Sequence, residues 1–259
     1  MKLIALGDTH GRLVWKDIVK QDFDLLVFIG DYFDSFDIPF EQQLNNFLDI
    51  CQYKRDNMDK VILLTGNHDF HYTPTAMDHQ DIYSGFQHRN AWPIRHALEA
   101  NKDIMQMAFQ WNEWVFTHAG ITATWIKGTT KNLKAPKWQK TADHINEVYK
   151  NSPRHFLFSG LDGTGDDTTQ SPIWVRPRSL MRNAFAVDNI KQVVGHTRAR
   201  QIGVFKDLFF LIDTLEEKEK PQYLVITEDG YEIKDVYAEK NTTEAESETS
   251  EENASQEGE

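Results

Sequence analysis

The chain has 259 residues, with 28 Lys and Arg against 40 Asp and Glu, a formal charge of -12 and one cysteine. A single cysteine excludes a disulfide framework within the chain, and the lack of any apolar run of spanning length excludes a helical membrane protein. The acidity says little about partners, because residues 239–259 hold eight Glu and one Lys and so carry -7 of the total.

In chain order, the first apolar run is Leu3–Leu6, which ends in Gly7, Asp8, Thr9, His10 and Gly11. A strand-sized run that stops at charged residues is no signal peptide, which with the lone cysteine gives a cytoplasmic expectation. Residues 12–21 place Leu13, Ile18 and Val19 in a helix-sized interval. The second run, residues 25–29, ends in Gly30 and Asp31. Residues 39–57 carry a helical stripe of Phe40, Leu44, Phe47, Leu48 and Cys51, with Pro39 suited to the first turn. On that stripe Cys51 reads as a core residue and not a nucleophile. The third run, residues 61–65, ends in Gly66, Asn67, His68 and Asp69.

Residues 70–111 read as a loop and helical wall, whose His71, His79, His88 and His96 have no compact ligand spacing. The fourth run, Trp114–Thr117, ends in His118, Ala119 and Gly120. Residues 121–167 carry Lys127, Lys131, Lys134, Lys137 and Lys140 near Trp125 and Trp138, read as a solvated rim in preference to a nucleic acid surface. The glycines between Gly160 and Gly165 lack the lysine and spacing of a phosphate loop, and the segment reads as flexible. The fifth run, residues 192–194, ends in Gly195, His196 and Thr197. Residues 208–212, 223–227 and 231–236 read as closely connected strands with a hairpin turn at Asp229 and Gly230, suggesting a second, more antiparallel sheet. The domain spans residues 1–238, and residues 239–259, rich in Glu, Ser and Thr, form a disordered acidic tail.

Alternating strands and helices argue for an α/β fold with parallel strands and right-handed crossovers. Ligands of such sheets bind beyond the carboxyl ends of the strands, so the five polar clusters converge on one edge. Carboxylates, an amide and imidazoles suit divalent Mn, Fe, Zn, Mg, Co or Ni, and do not form a thiolate site. Two ions roughly 3.5–4 Å apart need a shared acid. Asp31 is the candidate, with Asp8 and His10 beside one ion and Asn67, His118 and His196 beside the other. His68, flanked by Asp69, suits a general acid kept oriented and charged by a carboxylate.

In type and order these motifs resemble the calcineurin-like metallophosphoesterases over residues 3–197, especially the branch of serine/threonine protein phosphatases and bacterial diadenosine tetraphosphate hydrolases. The resemblance implies a four-layer α/β/β/α sandwich and two divalent metals, Mn first among them. Asp8, His10 and Asp31 would hold one metal, and Asp31, Asn67, His118 and His196 the other. It similarly implies His68 as the acid with Asp69 as its partner. Protein phosphatases carry an arginine at the position of Ser35, so one phosphate clamp is missing here. Arg176, in the run Ile173, Trp174, Val175, Arg176, Pro177, resembles another family arginine and is the preferred phosphate ligand, with Arg12 and Arg198 as further candidates beside the motifs. Arg198 also stands where many phosphodiesterases of the superfamily have a second histidine.

The expected function is hydrolysis of a phosphate ester by a metal-bridging hydroxide. The alternative is cleavage of a dinucleoside polyphosphate or a nucleic acid phosphodiester, and a non-catalytic partner-binding scaffold comes last. Expected partners are a phosphorylated small molecule, nucleotide or phosphoprotein; nucleic acid is not favoured and no membrane is implied.

Overall fold

In β1 (Leu3–Leu6) the pleat turns Leu3 and Ala5 to one side and Ile4 and Leu6 to the other, and all four are fully buried. A strand buried on both faces needs a layer on each side. The computed structural model describes residues 1–130, 140–186 and 190–237. After β1 come α1 (Trp15–Ile18), β2 (Leu25–Phe28), α2 (Phe40–Asp56), β3 (Val61–Leu64), α3 (Asn67–Phe70), α4 (Pro74–Asp78) and α5 (Ala91–Asn101). The middle of the chain forms β4 (Met105–Gln106), β5 (Ala108–Trp111), β6 (Trp114–Thr117), α6 (Ala123–Thr130), α7 (Thr141–Asn151) and α8 (Pro177–Arg182). The remainder forms β7 (Lys191–Val194), β8 (Gly203–Phe205), β9 (Phe209–Leu211), β10 (Gln222–Thr227) and β11 (Gly230–Asp235).

Two sheets result, one ordered β11-β10-β1-β2-β3-β4 and the other β5-β6-β7-β9-β8. Strands β1, β2 and β3 are parallel, as are β6, β7 and β9, so each sheet gathers the carboxyl ends of its motif-bearing strands on one edge. Between the sheets lie Leu3, Ala5, Val27, Leu64, Trp114, Phe116, Val193 and Phe210. On the outer face of the first sheet, Ile4, Leu6, Leu26 and Phe28 meet Trp15 and Ile18 of α1, Phe47 and Ile50 of α2, and Ile94 of α5. On the outer face of the second, Ala108 and Val115 meet Trp125 and Ile126 of α6 and Ile145 and Val148 of α7. The layers are therefore α/β/β/α.

Three sequence expectations change. The hairpin β10-β11 does not build the second sheet: β10 pairs antiparallel with β1, Leu3 opposite Ile226, and extends the first. Its alternating Leu224 and Ile226 fill the inter-sheet core, which favours that edge. The helix expected over residues 12–21 shrinks to Trp15–Ile18, because the backbone before it is tied down by side chains of α2. Asn46 donates from Nδ2 to the Arg12 carbonyl at 3.1 Å and accepts from Trp15 Nε1 at 2.8 Å, fixing the chain just beyond His10. Trp125 is buried and donates from Nε1 to the His155 carbonyl at 3.1 Å, so it offers no stacking surface.

Cys51 is buried in the helix layer, and burial pushes its thiol up to about 12, consistent with a core role. Lys131, Lys134, Lys137, Trp138 and the acidic tail, residues 239–259, lie outside the described residues. Among the described residues no helix is long and apolar enough to cross a membrane.

Candidate metal centre

The motifs leave their strands and turn at once, and in three of them the backbone records the cost. Four of the non-glycine residues with positive φ are His10 (42°), Asp31 (56°), Asp34 (68°) and His196 (64°). That left-handed region is disfavoured for side-chain-bearing residues and is held only where surrounding structure enforces it, typically at functional sites. Close approach explains two of the glycines: a Cβ on Gly66 would collide with the Asp31 carboxylate and one on Gly195 with that of Asp8.

The six predicted ligands come together from both sheets. Asp31 Oδ2 lies 3.8 Å from His10 Nε2 and 3.2 Å from His118 Nε2, so one carboxylate oxygen faces a histidine on either side. Asn67 Oδ1 lies 2.9 Å from His118 Nε2 and 2.8 Å from His196 Nδ1. Asp8 receives the His196 backbone N–H at 3.0 Å. Among the described residues, ligand atoms of Asp8, His10 and Asp31 lie within 4.8 Å of one another, as do those of Asp34, His68 and His71. The rings are oriented from behind: His10 Nδ1 meets the Phe33 carbonyl, His118 Nδ1 the Ile29 carbonyl at 3.0 Å, and His196 Nε2 the Trp174 carbonyl at 3.0 Å. In each ring the nitrogen turned to the backbone donates, which leaves the other lone pair for the centre.

The electrostatics call for positive charge. Burial, then Asp213 and Asp31, raises the Asp8 carboxyl well above the usual carboxylate range. Burial and then Asp31 push Asp213 up to about 7, and among the described residues its Oδ1 is buried without a hydrogen-bond partner. Three carboxylates packed this closely cannot all ionise cheaply without a cation. Oxygen and imidazole donors around such a cluster fit hard to borderline divalent ions.

The carboxylate beside His68 differs from the expected one. His68 Nδ1 lies 3.0 Å from Asp34 Oδ2, whereas both oxygens of Asp69 face backbone: the N–H groups of Asp31 at 2.8 Å, Tyr32 at 2.9 Å and Gly66 at 2.9 Å. Asp69 sits at the third residue of α3, where helix geometry turns its side chain back toward the amino-terminal loop and away from the ring of its neighbour. Burial opposes a charge on His68, but Asp31 and then Asp34 outweigh it and push its pKa up to about 9. Asp34 belongs to the motif that begins at Gly30, and its signal was a second acid three residues after Asp31. Asp213 was equally visible as an acid ending the apolar run 208–212, without the glycine that marked the others.

The arginines separate. Arg176 donates from Nη1 to the His196 carbonyl at 2.8 Å and to Thr197 Oγ1 at 3.1 Å, and from Nε to the Thr164 carbonyl at 3.1 Å. The loop read as flexible is thus bonded to this side chain. Burial lowers the Arg176 basicity, against the opposing pull of Asp31, Asp8 and Asp213. Arg12 is instead paired with Asp37 at 2.9 Å and Glu216 at 3.3 Å, and Arg198 with Glu216 at 2.8 Å and Glu217 at 3.5 Å.

The family model described as calcineurin-like phosphoesterase matches residues 1–199. Among solved structures, a cold-active protein-tyrosine phosphatase of a psychrophilic Shewanella species is similar at 18% identity and a TM-score of 0.56, over 91% of this chain and 80% of that one. A protein serine/threonine phosphatase from Saccharomyces cerevisiae with similarity to human phosphatase PP5 is similar at 14% identity and a TM-score of 0.50, over 91% of this chain and 79% of that one. At these identities the likeness concerns the fold. A search of curated proteins finds none that matches the chain. With the family model covering both sheets' motifs as far as Thr197, the chain belongs to the calcineurin-like phosphoesterases, hydrolases of phosphate esters that work with divalent metal ions.

Proposed function

We propose that the protein is a phosphatase with two divalent cations, held by Asp8, His10 and Asp31 on one side and by Asp31, Asn67, His118 and His196 on the other. The observation that carries this is the single oxygen of Asp31 facing His10 and His118 together. Manganese is the first choice, with Fe, Ni, Zn, Co or Mg as alternatives. When bound, two such cations supply a nucleophile from water and neutralise charge on the phosphoryl oxygens.

The chain's own residues do the rest. His68, protonated and held by Asp34, gives its proton to the departing oxygen. Its ring lies beside that of His10, with centroids 5.3 Å apart, which keeps the donor at the edge of the centre. Arg176 holds the peripheral phosphate oxygens, since its other guanidinium hydrogens have no carboxylate within salt-bridge distance among the described residues. Arg12 and Arg198, already neutralised by three acids, are poorly placed to take further phosphates. That favours a monoester over a dinucleoside polyphosphate or a nucleic acid diester.

Purified protein supplied with Mn is expected to hydrolyse p-nitrophenyl phosphate, and EDTA to stop it. No metal-dependent turnover with any phosphate ester would reject the proposal, and a preference for dinucleoside polyphosphates would select the alternative. Arg176→Ala is expected to lower kcat/KM roughly 10- to 100-fold, the loss of one or two charge-assisted hydrogen bonds to phosphate, with metal content unchanged. An unaltered kcat/KM would remove Arg176 from the site.

A further inference from the structure

His71 is a fully buried histidine that the centre described above does not use. It follows α3 directly, one helical turn after His68, so both rings reach the same carboxylate. Asp34 is saturated. Its Oδ2 lies 3.0 Å from His68 Nδ1 and 2.6 Å from His71 Nε2, while its Oδ1 accepts from Tyr72 Oη at 2.5 Å and Gln87 Nε2 at 3.2 Å. An ionised carboxylate has about four acceptor positions, so this one has no freedom to rotate away from His68.

The protonation pattern of His71 follows from its surroundings. Among the described residues its Nδ1 is buried with no hydrogen-bond partner, and its ring is edge-on to Tyr72 at 4.6 Å and Phe86 at 5.0 Å. A hydrogen on Nδ1 would be an unpaired buried donor, which is costly. The proton therefore sits on Nε2, facing Asp34, and the ring is neutral. A neutral donor orients the carboxylate without cancelling its charge. Burial acts in the same direction, lowering the His71 pKa against the opposing effect of Asp34.

We infer that His71 is a positioning residue for proton donation: its Nε2–H locks the Asp34 carboxylate onto His68 Nδ1 and so fixes the orientation of the His68 ring. This rests on the phosphatase reading, and its signature is dependence on the leaving group. p-Nitrophenolate departs with little need of a proton, whereas the alkoxide of serine needs one. General acid catalysis is worth about 10²- to 10⁴-fold where it is needed.

The test compares wild type, His71→Phe, which keeps a ring of similar size but cannot donate, and His71→Gln, whose amide restores a donor. Each is assayed with Mn on p-nitrophenyl phosphate and on phosphoserine, with metal content measured alongside. The Phe variant is expected to lower the phosphoserine to p-nitrophenyl phosphate ratio of kcat by about tenfold or more, with metal content unchanged, and Gln to recover most of it. Equal slowing of both substrates, or none, would overturn the role of His71 while leaving the phosphatase reading intact. Absence of metal-dependent turnover in wild type would overturn both. If the Phe variant does not fold, the imidazole nitrogen NMR spectrum of wild type decides: a neutral ring protonated on Nε2 is expected, and a proton on Nδ1 defeats the inference.

Discussion

Asp31→Asn is expected to abolish Mn-dependent turnover, by at least about 10³-fold, beyond the roughly 10- to 100-fold typical when an outer partner of a metal ligand is lost. The substitution isolates charge from shape. An amide oxygen at the Oδ1 position can still accept the His68 backbone N–H that Asp31 accepts at 2.9 Å, so the start of α3 should stay in place. What disappears is the negative oxygen that faces His10 at 3.8 Å and His118 at 3.2 Å. Metal content per chain should fall in the same variant, because under the proposed assignment both halves of the centre lose a ligand in one step. Retention of two metals with near-normal turnover would show that Asp31 is not shared. Far-ultraviolet circular dichroism guards against the trivial explanation of a lost fold.

The second large effect concerns Asp69, and it is on stability. Its carboxylate accepts three buried backbone N–H groups, from Asp31, Tyr32 and Gly66, at 2.8 to 2.9 Å. Each one left unpaired costs about 1–3 kcal/mol. Asp69→Ala should therefore destabilise the protein by on the order of 3 kcal/mol or more. For a domain of this size that is a fall in Tm of roughly 6–12 °C, measured in EDTA so that metal release does not contribute. Asp34→Asn keeps an oxygen for Tyr72 and Gln87 but loses the acceptor shared by His68 and His71, so it should also lower Tm, and in addition it should slow phosphoserine more than p-nitrophenyl phosphate. Were Asp69→Ala to remain as stable as wild type and show that substrate signature, Asp69 would regain the acid-partner role that its place beside His68 suggests.

The distinction between Asp34 and Asp69 marks where sequence reading stops. Neighbours in a chain are not neighbours in a turn. His68 and Asp69 adjoin in sequence, yet in the first turn of a helix adjacent side chains diverge. Asp34 reaches His68 only because positive φ at Asp31 and again at Asp34 folds the loop after β2 back over α3. Neither a turn of that kind nor its partner is written in a hydrophobic pattern. Arg12 and Arg198 are a similar case. Each stands two residues after a histidine of the centre, but Glu216 bridges both. The terminal hairpin shows the same limit at the level of topology. Its strands were evident from alternation, whereas its choice of β1 as neighbour depends on which sheet edge offers an apolar face to Leu224 and Ile226.

By itself the sequence determined the recurring unit of this protein, an apolar strand, a glycine and a polar side chain of metal-binding type. Strand periodicity and the steric freedom of glycine are local properties, and they identified Asp8, His10, Asp31, Asn67, His118 and His196 as a set. Only the tertiary structure decided which other side chains surround the set. It brings the carboxyl ends of two sheets together, assigns Asp34 to His68 and Asp69 to the backbone, and adds Asp213 and His71. Those choices rest on distances between side chains remote in sequence, and on the scarcity of hydrogen-bond partners in a buried site.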